Sequence, residues 1–212
     1  MYKFIKFVGD KLVAVLGLIV LALPLLVIAI AVKIESKGPA IFRQERIGKD
    51  QKPFKVFKFR TMKSTDVPFD INHPVIEDTN KNLTKVGRVI RKIKFDEFLQ
   101  LLNVLKGDMS LVGPRPLLGV YLDHYEEWEK QKFNVKPGIS GLAQVKGNGY
   151  LSPRERSYYD VTYTKKASFL LDIKILFQTL GVIFFGEKKL TRHVSEEEIE
   201  KLKQEYENTK SA

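Results

Sequence analysis

The chain has no cysteine, and only three histidines and one tryptophan in 212 residues. The missing cysteines exclude disulfides, thiolate-bound zinc, iron–sulfur centres and a thiol nucleophile. His73, His124 and His193 are too scattered for the paired histidines of a helical zinc site. Catalysis must then come from carboxylates, hydroxyls, Lys or Arg, or a hard metal ion. A disordered composition is lacking too, since 44% of residues are hydrophobic and 29% charged. The length suits one domain with an appendage, and there is no internal repeat. Acid is in short supply: 36 Lys+Arg face 25 Asp+Glu, a net charge of +11. Residues 195–212 carry six Glu and three Lys, which leaves +14 on residues 1–194. A basic body of this kind requires an anionic partner: phosphate, nucleic acid or an acidic lipid surface.

Charge is absent altogether from residues 12–32, LVAVLGLIVLALPLLVIAIAV. As a helix this stretch would cover about 30 Å, the hydrocarbon thickness of a bilayer. No small-residue cleavage site clearly follows it, so it reads as a retained anchor. Lys3, Lys6 and Lys11 precede it, and Lys33, Lys37, Arg43 and Arg46 follow it. Positive flanks favour the cytoplasm, and here both ends are positive. Pro24, near the middle, cannot donate to the carbonyl of Val20. Sequence alone admits a kinked spanning helix, the plainer reading. It also admits a helix broken at Pro24 that enters one leaflet and returns to the cytoplasmic face.

Residues 38–62 read as a β-hairpin turning at 48–53, and residues 64–82 as a polar loop. Short helices are expected over 86–93 and 95–105, the second ended by Lys106 and Gly107. A further helix is expected over 120–133, between turn-rich stretches at Gly113-Pro114-Arg115-Pro116 and Lys136-Pro137-Gly138. Residues 169–185 are apolar but interrupted by Asp172, Lys174 and Gln178, which suits a core helix or one lying in the bilayer interface. Ser195-Glu196-Glu197-Glu198 is a capping pattern that opens an exposed acidic helix.

The densest chemistry lies at residues 88–97. Arg88, Arg91, Lys92 and Lys94 stand just before Asp96 and Glu97. Acidic residues also favour helix N-termini, so Asp96 could simply cap. Nearby cations would keep Asp96 ionised, however, and an ionised carboxylate can be a nucleophile or a metal ligand. Lys58-Phe59-Arg60 alternates cation and aromatic, suited to gripping phosphate or to protecting a sheet edge. Gly141, Gln144 and Gly147 could line a pocket or serve packing. Asp172, in an apolar helix, should pair with a basic group or line the site. Trp128, Tyr121 and Tyr125 suit core or interface packing.

The order of these segments resembles the small bacterial sugar transferases, the monotopic polyprenyl-phosphate phosphoglycosyl transferases. The residues that carry the resemblance are the N-terminal apolar segment with Pro24, FRQERIG at 42–48, KFRTM at 58–62, KFDEFLQLLNVLKGDMSLVGPRP at 94–116 and KPGISGLAQVKG at 136–147. Tyr159-Asp160-Val161 and Leu171-Asp172-Ile173-Lys174 complete the series, over residues 1–186. The resemblance implies transfer of a sugar 1-phosphate from a UDP-sugar to polyprenyl (undecaprenyl) phosphate with release of UMP. Asp96 would be the nucleophile that becomes esterified, and Glu97 the partner of an essential Mg²⁺. Arg91 and Arg115, with Arg88, Lys58, Arg60, Gln144 and Asp172, are the candidate phosphate and substrate contacts. Some relatives carry Arg near the end of the LAQV block where this chain has Asn148.

The implied fold is α+β and mostly helical: a monotopic membrane protein with a re-entrant helix-break-helix at Pro24, a small β-hairpin and interfacial amphipathic helices. Residues 1–36 would be membrane-embedded, 37–190 catalytic and 191–212 an acidic tail. The implied partners are the UDP-sugar, the polyprenyl phosphate and membrane phospholipids, without nucleic acid; a homodimer is admitted, the sequence not fixing the oligomeric state. The implied place is the cytoplasmic face of the inner membrane. Two other classes compete: a metal-dependent glycosyltransferase that releases UDP, and a non-catalytic module that binds acidic lipid. The first lacks an Asp-x-Asp metal motif here, and the second leaves the Asp-Glu pair unexplained.

Overall fold

The computed structural model describes residues 2–63 and 80–211, so most of the loop expected over 64–82 lies outside the described residues. Helix α1 (Tyr2–Glu35) is a single element with Pro24 inside it. The interruption expected at Pro24 is not seen as a gap: one lost N–H can bend a helix without ending it. Ala14, Leu25 and Val32 are buried, with Leu18, Leu21 and Ile28 packed beside them. Steps of three and four make these residues one stripe of the helix, laid on the globular body. The remaining surface, including Leu12, Leu16, Ile19, Val20, Leu23, Leu26 and Ile30, is apolar and exposed.

Both ends of α1 bond to that body. At the start, Lys6 and Tyr2 donate to Asp172 Oδ2 at 2.7 and 2.8 Å, and Ser110 donates to Asp10 at 2.6 Å. At the finish, Glu35 accepts the first free N–H groups of α2 (Lys85–Lys92), from Lys85 and Val86. These are the donors a helix start leaves unpaired.

The hairpin forms as expected. Strands β1 (Ile41–Ile47) and β2 (Pro53–Phe59) pair antiparallel, with Phe42 opposite Lys58, Gln44 opposite Val56 and Arg46 opposite Phe54. Asn103, fully buried, fastens β2 to the next helix: its Oδ1 accepts from Phe57 N–H at 3.0 Å and its Nδ2 donates to Lys55 O at 2.7 Å. Thr84 caps α2 through Gly87 N–H at 2.8 Å. A Cβ on Gly87 would lie 2.2 Å from Thr61 O, so only glycine allows this approach. A 3-10 turn, Phe95–Gln100, then runs into α3 (Leu101–Lys106), which Gly107 ends at φ 92°.

Two three-residue strands, β3 (Ser110–Val112) and β4 (Gly138–Ser140), pair in parallel. They bring the GPRP and KPG turns together: Gly138 N–H donates to Pro114 O, and Gly113 N–H to Ser140 O, each at 2.9 Å. The helix expected over 120–133 is instead two 3-10 turns, Gly119–His124 and Glu129–Asn134, with extended backbone at Tyr125 between them. The break has a packing cause. Trp128 is buried against Val161, Ile199 and Leu202, while Lys132 pairs with buried Asp160. Glu129 also accepts from Glu126 N–H at 2.8 Å, starting the second turn afresh.

After α4 (Leu142–Val145) come α5 (Pro153–Lys166), opened by a Ser152/Glu155 capping box, and α6 (Phe169–Phe185). Helix α6 buries Asp172, Ile175 and Val182 and exposes Phe169, Leu170, Phe177, Leu180, Phe184 and Phe185, the division expected of an interfacial helix. Helix α7 (Glu196–Ser211) starts at the Ser195 cap but is not simply exposed. Ile199 and Leu202 are buried on Trp128 and Val161, and Arg154 and Lys203 hold its flank beside Glu126. The fold is thus mostly helical, with a two-stranded hairpin and one long apolar N-terminal helix.

Candidate active site

The Asp-Glu pair is placed by the residue before its turn. Lys94 is left-handed (φ 55°, ψ 22°), and this reverses the chain between α2 and the 3-10 turn. Asp96 falls at the start of that turn and is 9% exposed. Burial, then the Glu97 charge, pushes its carboxyl up to about 6, against the pull of Lys58 and Arg91. It remains largely ionised at neutral pH, as a carboxylate nucleophile requires.

Glu97 is held differently. Arg115, projecting from the GPRP turn, grips it as a fork, NH2 to Oε1 at 2.6 Å and NH1 to Oε2 at 3.3 Å. Burial pushes the Glu97 carboxyl up, but the Arg115 charge and hydrogen bonds outweigh it and hold it below the usual range. The environments of the two neighbours therefore push their protonation apart, which suits them to different tasks.

The hairpin supplies the opposite wall. Lys58 acts on both carboxylates; burial, then the Arg46 charge, pushes its ammonium down to about 8. Gln44 and Arg46, on the same hairpin face, complete the wall, with Gln44 Oε1 accepting from Arg46 at 2.8 Å and Lys58 at 3.0 Å. Behind the dyad, Glu187 pairs with Lys94 and accepts from Asn148 Nδ2 at 3.1 Å. Asn148, the departure noted in the sequence, thus helps hold the carboxylate that pins the left-handed Lys94. Arg46, Lys58, Arg91, Lys94 and Arg115 outnumber Asp96, Glu97 and Glu187, so the site carries net positive charge.

The structure brings together Asp96, Glu97, Arg115 and Lys58, with Arg91 close enough to act on Asp96. The other candidates fall elsewhere. Arg60 is 7% exposed and donates to Ser36 O at 2.7 Å and Lys37 O at 2.8 Å, so it caps the end of α1 rather than meeting phosphate. Asp172 accepts from Tyr2, Lys6 and Tyr163, tying α1 to α5 and α6. Gln144 donates to Ile139 O at 3.0 Å and closes its own turn. Arg88 is exposed on α2, and no side-chain bond joins it to the dyad among the described residues. Gln44, Arg46 and Glu187 were not anticipated as site residues. Gln44 and Arg46 stood in the FRQERIG motif, and strand alternation places them with Lys58.

A hard cation fits Glu97. Among the described residues no group of three acidic or histidine side chains converges, so a divalent ion would draw its remaining ligands from substrate and water. Glu97 retains free lone pairs beyond those Arg115 occupies. A cation there would also relieve its repulsion with Asp96.

Comparison with known proteins places these residues in a wider set. A family model described as "Bacterial sugar transferase" matches residues 1–186. An uncharacterised sugar transferase of Bacillus subtilis (strain 168), EpsL, is 46% identical over 167 residues, covering 78% of this chain and 81% of its own. A UDP-N-acetylgalactosamine-undecaprenyl-phosphate N-acetylgalactosaminephosphotransferase of Aeromonas hydrophila is 38% identical over 192 residues, 87% of this chain and 45% of the relative. A UDP-glucose:undecaprenyl-phosphate glucose-1-phosphate transferase of Escherichia coli (strain K12) is 40% identical over 189 residues, 84% of this chain and 40% of the relative. The chain therefore spans most of the first relative and under half of the other two.

Proposed function

The chain belongs to the bacterial sugar transferase family, and from that membership we propose that it transfers a sugar 1-phosphate from a UDP-sugar to undecaprenyl phosphate. The observation that carries this reading is the buried, ionisable Asp96 set beside a forked Arg115–Glu97 pair inside a net positive site. Asp96 attacks the sugar-side phosphorus of the donor; the bond to the bridging oxygen breaks, and UMP leaves with the electron pair. An oxygen of the lipid phosphate then attacks the same phosphorus and restores the Asp96 carboxylate. The intermediate splits the transfer in two, so the soluble donor and the lipid acceptor need not bind together.

Each residue has a derived part. Arg115 and Arg91 neutralise the reacting phosphoryl oxygens, an electrostatic role that strengthens in a site shielded from water. Lys58, on the hairpin, lies within electrostatic range of both carboxylates and offsets charge as the bridging oxygen departs. Glu97 would hold Mg²⁺ together with diphosphate oxygens; the ion supplies charge neutralisation that lets one anion approach another.

The same reading places the chain in one leaflet of the inner membrane with its catalytic part, residues 37–190, on the cytoplasmic face. Residues 1–36 are the membrane-embedded part and 191–212 the acidic tail. Support comes from the exposed apolar surfaces of α1 and α6, the lysines at both ends of α1, and the bonds that tie both ends to one body. A re-entrant α1, bent at Pro24 with its apolar face in lipid, fits these facts better than a spanning helix. Half of a spanning helix would be carried away from its partners.

The product tests the reaction. Purified enzyme in lipid nanodiscs with a panel of UDP-sugars and undecaprenyl phosphate should release UMP, stop with EDTA and resume with Mg²⁺. Release of UDP instead would mark a conventional glycosyltransferase, and EDTA-resistant turnover would remove the metal.

A further inference from the structure

Among the described residues, the site cations Arg46, Lys58 and Arg91 form no salt bridge with a carboxylate. Arg115 is forked on Glu97, Lys94 pairs with Glu187, and Lys132 with Asp160. Arg46 and Lys58 instead converge on one neutral oxygen, Gln44 Oε1, at 2.8 and 3.0 Å. The one other side-chain bond of Arg46 among the described residues is a long one, 3.4 Å to Pro116 O. Both cations are half-buried.

Holding two such charges together is costly. Burial, then the Arg115 charge, pushes the Arg46 guanidinium down to about 10, and burial, then Arg46 itself, pushes Lys58 down to about 8. An amide oxygen satisfies the donors but supplies no charge to offset the repulsion. The hairpin enforces the arrangement, because strand register puts Gln44, Arg46 and Lys58 on one face, and the Phe42 ring stands 5.3 Å from Lys58 Nζ. A guanidinium and an ammonium aimed at a common point form a grip for an oxyanion with more than one charge. The grip is also spread along the hairpin: Lys58 stands opposite Phe42, while Arg46 lies nearer the turn, opposite Phe54, with its guanidinium 3.4 Å from Pro116 O.

We propose that Gln44, Arg46 and Lys58 form a subsite for a phosphate monoester dianion, one phosphorus removed from the atom that Asp96 attacks. The proposal rests on the transfer reading above, in which two monoesters take part in turn. UMP becomes a monoester as it leaves, and the lipid acceptor arrives as one. One subsite serving both would hold the leaving phosphate while the Asp96 ester forms, then present the acceptor phosphate to that ester. Gln44 keeps the two donor heads aligned between these occupants, which makes it a positioning residue.

The test uses the full chain in nanodiscs. UMP inhibition constants against the UDP-sugar, and the KM for undecaprenyl phosphate, are measured for the unaltered protein, Arg46→Gln, Arg46→Lys and Gln44→Leu. UMP and uridine binding to Asp96→Asn protein, with and without Arg46→Gln, isolates the phosphate contribution. Loss of a charge-assisted bond to phosphate predicts weakening of UMP by about 10-fold or more in Arg46→Gln, with uridine unchanged. Arg46→Lys should recover part of it. A parallel rise in KM for the lipid phosphate assigns the subsite to both monoesters, and a change confined to one assigns it to that one. Unchanged UMP affinity and unchanged lipid KM in folded Arg46→Gln overturn the proposal. Failure of the unaltered protein to release UMP from any UDP-sugar would instead sink the transfer reading, so the two failures are distinct.

Discussion

Asp96 and Glu97 are adjacent, yet their surroundings separate them. Asp96 faces burial and a like charge, and Glu97 faces the Arg115 fork. A planar guanidinium makes both bonds at once, which an ammonium cannot. Arg115→Lys should therefore cut UMP release by about 10-fold or more while the melting temperature stays close to that of the unaltered chain. Undiminished release would show that charge alone suffices. The dyad, Arg115, Arg91 and Lys58 were legible in the sequence because they stand in dense motifs. Gln44 and Arg46 were not, since their part depends on which hairpin face meets the dyad, a fact of packing. Arg60 misled for the same reason. It lies two residues from Lys58 in an apparent cation–aromatic repeat, but β2 ends at Phe59 and its side chain turns under α1. Asp172 is expected from sequence to pair with a basic group or to line the site; the structure pairs it with Lys6, from the far end of the chain.

At the scale of elements, long periodic or motif-rich segments were readable: α1, the hairpin, α2, α3 and α6. The split at Tyr125 was not, because Trp128 and Lys132 are fixed by α5 and α7, distant in sequence. The two short parallel strands carry too little pattern to be seen. Helix α7 lies beyond residue 186, where the family match stops, and the chain leading into it is fastened by Glu155 at His193 and Val194. Burial pushes the Glu155 carboxyl up, but bonds from Ser152 N–H, Val194 N–H and His193 pull it down to about 2, from an ordinary 4.5. A group whose folded value is depressed stabilises above its unfolded value and loses that stabilisation as pH falls through the folded one. The docking of α7 should thus weaken as pH drops from about 4.5 toward 2. Trp128, the single tryptophan, sits under α7 and reports it by fluorescence. Glu155→Gln should red-shift Trp128 or lower its melting temperature at pH 7 and flatten the acid dependence. An acid dependence equal to that of the unaltered chain would show that other carboxylates hold the helix.

The whole molecule combines a positive site with the exposed apolar surfaces of α1 and α6. The proposed membrane placement predicts that both ends of α1 lie on one side. The chain lacks cysteine, so single replacements at exposed Lys3 and Lys37 can be labelled without background. Both should be protected from impermeant maleimide in intact cells and react in inverted vesicles. Labelling of position 3 from outside would replace the re-entrant arrangement with a spanning one.

Transfer in two steps requires the sugar phosphate to rest for a time on Asp96. Intact-mass spectrometry of the purified enzyme, given its UDP-sugar and Mg²⁺ but no lipid acceptor, addresses it directly. One added sugar phosphate is expected, mapped to Asp96, absent from Asp96→Asn and discharged by undecaprenyl phosphate. Turnover that proceeds with both substrates while no adduct forms on Asp96 under any donor would contradict it.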